Sequence, residues 1–109
     1  MLTLENVEAV HAQASAAARK ATEDFLAKHG DRDACGFAWV TVYEKGSTKL
    51  GKALTKLGFS KAYGGGLQLW NPSGNWTQAI TAKEEGAQAY ANVFRAAGFE
   101  KAYAGSRMD

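Results

Sequence analysis

Residues 54–66 read LTKLGFSKAYGGG, and residues 94–106 read FRAAGFEKAYAGS. Six positions coincide at a constant offset of 40: Gly58 with Gly98, Phe59 with Phe99, Lys61 with Lys101, Ala62 with Ala102, Tyr63 with Tyr103 and Gly65 with Gly105. A fixed offset is the mark of a repeated supersecondary unit. Upstream of the first copy, Leu50, Ala53, Leu54 and Leu57 form one apolar stripe and predict a helix over 47–57. Before the second, Ala87, Tyr90, Ala91, Phe94 and Ala97 do the same, and Thr81 with Glu84 makes a capping-box pattern at its start. In each copy the glycine ends a helix, the phenylalanine enters the core, and the alternating pair after it starts a strand.

Working outward, GFAWVTVY (36–43) is rich in β-branched and aromatic residues and reads as a central strand, with Phe37, Trp39 and Thr41 on one face. FSKAYGGGLQLW (59–70) reads as a strand bent or broken at its three glycines, NPSGN (71–75) as a hairpin loop, and WTQAIT (76–81) as the returning strand. At the other end Thr3 can cap a helix with apolar positions Val7, Val10, Ala14, Ala17, Ala21 and Phe25, closed by His29-Gly30. That helix has about 25 residues and a length of about 37 Å at ~1.5 Å per residue.

The fold expected is therefore α+β: a ferredoxin-like split β-α-β (βαββαβ) antiparallel sheet preceded by a long N-terminal helix. The chain reads as a single domain over 1–109, with the helix in 1–30, one β-α-β unit in 35–70 and a second in 75–105. Right-handed crossovers place both internal helices on one face of the sheet. The other face carries Trp and Phe, so the first helix is expected to cover it, from the same chain or from a partner, and a homodimer is the expected assembly.

Composition narrows the class. Hydrophobic residues make up 46% and charged residues 22%, the ordinary balance of a soluble globular protein, and no 18-residue apolar stretch offers a membrane span. Glu5 and Glu8 stand where a signal peptide is basic, and Cys35 is the single cysteine, so a cytoplasmic location is expected. Net charge is +2, with −2 over residues 1–34 and +4 over the rest. Dedicated nucleic-acid modules show a stronger basic excess, so nucleic acid is a permitted partner but not the favoured one.

Four groups of side chains carry chemistry worth weighing. Trp70 and Trp76 flank the 71–75 loop with Gln68 and Gln78 two residues further in; a simple hairpin register puts all four on one face, where they can hold a planar ligand or simply pack. Lys45, Lys49, Lys52 and Lys56 form a basic stripe on the second helix, open to an anionic partner or merely solvated. Cys35 lies beside Asp33, which disfavours a thiolate, and is expected to be a small core residue at a strand start rather than a nucleophile. His29, Asp31, Asp33 and Cys35 alternate like ligands but lack the paired spacing of zinc sites and the layout of a calcium loop. Gly64-Gly65-Gly66 precedes a strand rather than a helix, so it makes a poor phosphate cradle. The RNP phrases of an RNA-recognition motif are absent. No catalytic residue, metal or cofactor is expected, and the leading reading is a small non-enzymatic binding or assembly module. The alternative is a small-molecule, nucleotide or single-stranded nucleic-acid binder that uses the Trp/Gln face and the lysine stripe.

Overall fold

A computed structural model describes residues 3–31 and 34–109. The chain is α+β. It runs α1 (Val7–His29), β1 (Gly36–Val42), α2 (Lys49–Lys56), β2 (Ser60–Lys61), β3 (Leu67–Trp70), α3 (Ile80–Ala96) and β4 (Ala102–Met108). The four strands form one antiparallel sheet in the order β2-β3-β1-β4.

Thr3 and Asn6 bond reciprocally ahead of α1: Asn6 Oδ1 accepts from the Thr3 backbone N–H, and Thr3 Oγ1 accepts from that of Asn6. These bonds close a turn just before the helix, whose N-cap Asn6 makes no side-chain capping bond to the first turn. Gly30 ends α1 at φ 73°, its N–H reaching Leu26 O at 2.7 Å. The buried stripe is Val7, Val10, Ala14, Ala18 and Thr22, so it drifts one residue from the expected Ala17, Ala21 and Phe25. Thr22 escaped an apolar pattern search because it is polar; its hydroxyl donates to Ala82 O at 2.7 Å, which satisfies it in the core.

The repeated phrase resolves into two identical helix ends. Phe59 N–H donates to Leu54 O and Phe99 N–H to Phe94 O, while Gly58 N–H reaches Thr55 O and Gly98 N–H reaches Arg95 O. Both glycines have positive φ, 112° and 97°. This is the Schellman pattern, with the residue after the glycine packing back on the helix.

Between the two ends the structure departs from the reading of the sequence. The hairpin lies at the glycines, not at NPSGN: Ala62 N–H donates to Gly66 O, and Gly65 and Gly66 have φ 106° and 76°. At Gly66 a Cβ would come within 2.7 Å of Val42 O, so the turn needs glycine there for space as well. Residues 71–79 form a loop, and the partners of β1 are β3 and β4. Side chains hold that loop. Asn71 Nδ2 donates to Asn75 O, Asn75 Oδ1 accepts from Thr77 N–H, and Thr77 Oγ1 accepts from Ala79 N–H. Such local bonds offer the backbone an alternative to a ladder. Only an isolated Cys35–Ala79 bridge ties its end to the sheet margin. The helix after it is capped at Ala79 rather than Thr81, and Glu84 accepts the Ser106 hydroxyl from β4 instead of turning back to its own N-terminus.

All three helices share one side. Ala38, Val40 and Val42 of β1, Leu67 of β3 and Ala102 of β4 meet Leu54, Phe59, Ala87, Tyr90, Ala91 and Phe94 in one core. α1 packs chiefly along α3. Small residues let the two helices approach: a Cβ on Gly86 would lie 2.5 Å from Thr22 Oγ1 and 3.1 Å from Ala18 O. The expectation that α1 covers the second sheet face in its own chain is thereby overturned, because its apolar stripe is already buried against α3.

Candidate functional site

The uncovered face of the sheet is aromatic. Strand alternation turns Phe37, Trp39, Thr41 and Tyr43 away from the helices. Register places Trp70 opposite Trp39, Gln68 opposite Thr41, Tyr103 opposite Thr41 from the other side, and Arg107 opposite Phe37. Trp39 and Trp70 have ring centroids 4.9 Å apart at 42°, and Phe37 meets Trp70 edge-on at 6.0 Å and 74°. Trp70 remains 46% exposed and Tyr43 52%. An aromatic cluster of this kind in the middle of a sheet face normally lies under a second layer.

Two details shape it. Gly105 stands opposite Trp39, and a Cβ there would fall 2.7 Å from the indole Nε1 and 2.8 Å from Cε2. The indole is thus laid across β4 over a glycine backbone. The guanidinium of Arg107 sits 5.8 Å from the Phe37 ring, and that of Arg95 sits 4.8 Å from the Tyr103 ring while its Nε donates to Ala102 O at 2.8 Å. Cation–π contact of this order fixes long cationic side chains at an aromatic margin.

A shallow cleft of about 280 Å³ opens on this face beside the glycine turn. Its walls are Trp39, Thr41, Tyr63, Gln68, Trp70 and Arg107, and no carboxylate lines it. Among the described residues, neither the Gln68 amide nor the Thr41 hydroxyl has a hydrogen-bond partner. Aromatic walls with uncommitted polar tips are the composition of a ligand site.

The residues anticipated from sequence separate. Gln68 and Trp70 do share the face, but Trp76, 95% exposed, and Gln78, also exposed, sit in the 71–79 loop rather than on a strand facing them. Lys49, Lys52 and Lys56 are exposed on α2, with Lys45 in the segment before it. The three helical lysines belong to the helical side, bordering a groove of about 360 Å³ with Leu4, Val7 and Glu8, whereas Lys45 lines a separate hollow with Glu44, Lys61 and Gly66. The stripe therefore does not join the aromatic face. Cys35 is exposed, which corrects the expectation of a core thiol; the strand start it occupies lies at the sheet margin. Of the alternating ligand series, Asp33 lies outside the described residues, and among those described no three His, Cys, Asp or Glu side chains gather to hold a metal.

Trp39 and Arg107 were not singled out from sequence. Alternation had already placed Phe37, Trp39 and Thr41 together; what it could not give was that their face is bare. Arg107 was missed because β4 continues to Met108, past the end of the repeated phrase.

On the covered side, beside the polar contacts of Thr22 with Ala82 O and of Lys83 with Gly36 O, His11 meets Tyr90. Their Nδ1 and hydroxyl oxygen lie 2.7 Å apart between α1 and α3. Burial lowers the His11 pKa from its ordinary 6.5 and raises that of Tyr90, so both stay neutral at pH 7.

Compared with protein-family models, with curated proteins and with solved structures, the chain shows no significant match.

Proposed function

We propose that this chain is a small non-enzymatic binding module whose working surface is the bare face of its sheet. One observation carries the reading: three helices crowd one side while Phe37, Trp39, Tyr43, Trp70 and Tyr103 stand on the other, where among the described residues only the side chains of Arg107, Arg95 and Lys83 reach over two of the rings at its margin. Leaving that much aromatic surface in water is costly unless a partner covers it part of the time. The order of elements, β1-α2-β2-β3-α3-β4 with strand order β2-β3-β1-β4, supports reading the body as a ferredoxin-like split β-α-β unit with α1 added. A duplicated helix–glycine–strand segment accounts for the matching helix ends. A cytoplasmic setting belongs to the same proposal and rests on the exposed lone thiol, which a reducing compartment would keep free.

A second copy of the chain is the alternative occupant, favoured by the mixture of aromatics and arginine on the face. Size weighs against it as a tight dimer. The four strands, of seven, two, four and seven residues, at ~3.3 Å per residue and ~4.8 Å apart, give roughly 300 Å² in plane. A standard interface buries about 800 Å² per partner.

Trp70→Ser tests the reading, because this side chain is exposed and its loss should leave the fold intact. The variant should lose binding to whatever occupies the face, or lose self-association seen by sedimentation equilibrium. A variant unchanged in both would refute the working surface.

A further inference from the structure

Resting on that reading, we propose that the occupant is single-stranded nucleic acid, with bases stacked on Trp39 and Trp70 and phosphates led along β4 by Arg107 and Lys101.

Three features carry the inference. First, the two indoles sit on adjacent central strands in direct register and touch at 4.9 Å, Gly105 leaves Trp39 lying across the neighbouring backbone, and the pair lines the cleft with Trp70 exposed to a planar ligand. Each base has a π-face, so such a platform accepts any sequence. Second, the polar groups in the cleft are uncommitted. The Gln68 amide can both donate and accept, as a base edge requires, and the Thr41 hydroxyl stands opposite it. Third, charge is arranged on one margin. Arg107 lies in the cleft wall and no carboxylate lines that cleft; Lys101 lies two residues before Tyr103 at the other end of the same run, in a hollow it shares with Glu44 and Glu100, so Arg107 carries the larger part of the phosphate contact. A purely apolar partner leaves Arg107 and Gln68 desolvated without compensation. A phosphodiester strand satisfies both. The α2 lysines play no part, since they stand on the helical side.

The test uses the full chain and short oligo(U) and oligo(dT) at low salt, followed by tryptophan emission. Saturable quenching is expected, with the midpoint moving to weaker binding as salt rises. Trp39→Leu should weaken it roughly 5- to 150-fold, the range for one lost stacked base. Arg107→Ala, a surface change, should weaken it too and reduce the log–log salt slope by roughly 0.7. Gly105→Ala should act like Trp39→Leu by displacing the indole. Lys52→Ala with Lys56→Ala should leave the affinity within about twofold, so an equal loss there would place the strand on the wrong side and overturn the inference.

Mononucleotides serve as the second arm. UMP binding as tightly as oligo(U) would make this a nucleotide site and contradict the strand. Absence of saturable quenching by both oligonucleotides also overturns the inference. If Trp70→Ser then changes the sedimentation mass, the working surface stands and a second copy occupies it. If mass is unaffected as well, both readings fall.

Discussion

Glycine 105 shows how a single residue ties the repeat to the site. Its partner in the first copy, Gly65, shapes a turn at φ 106°, whereas Gly105 lies mid-strand and is held to glycine by the Trp39 indole. Gly86 makes a similar demand in the core, where Thr22 leaves no room for a methyl group. Gly86→Ala should lower stability by about 1–3 kcal/mol through overpacking, read as a fall in the urea midpoint without change in slope. His11 adds a pH dependence of definite sign. Its pKa is depressed by burial, so the unfolded chain binds the proton more readily. The stability it contributes is complete above pH 6.5 and is lost as pH falls through the folded-state value. Urea midpoints should therefore decline below that pH before the carboxylates titrate, and His11→Gln should flatten that part of the curve. An unchanged slope in the variant would mean that another group is responsible.

The elements differ in how firmly they are held. α2 has eight residues, and β2, the edge strand that follows it, has two, whereas α1 and α3 run 23 and 17 and pack along one another. Amide exchange should be fastest in 49–61 and slowest in β1 and the middle of α3. Gly98→Ala should cost about 1–2 kcal/mol, since a side chain at positive φ is strained; thermal melting checks it.

The glycine-terminated helix ends, the faces of α2 and α3, and β1 were legible in the sequence because each depends on local spacing or on glycine at a left-handed position, whereas the α1 stripe drifted to Ala18 and Thr22 and α3 is capped at Ala79 rather than Thr81. The hairpin was not legible. WTQAIT has strand-like residues, yet the Asn75 and Thr77 side chains bond the backbone two residues on and, with Asn71 turned at φ 48° and bonded to Asn75 O, hold a loop. That error carried over into the site, pairing Gln68 and Trp70 with Trp76 and Gln78 when their real neighbours are Thr41 and Trp39. Nor does alternation say which side the helices take, so the bare face could be read only from the packing of α1 on α3.

The whole molecule is asymmetric: its helices pack over the core on one side of the sheet, and the aromatic side carries no helix. Two-dimensional NMR of uniformly ¹⁵N-labelled protein tests this most directly, because the backbone amides of every element report at once. Spectra would be compared on dilution, which reveals self-association, and on addition of oligo(U), which reveals a strand. In either case the account predicts that the amides that move lie in 37–43, 67–70 and 102–108, with those of α1 and α2 unmoved. Shifts confined to Lys49–Lys56 and the start of α1 would contradict it, for they would put the working surface on the side the core already fills.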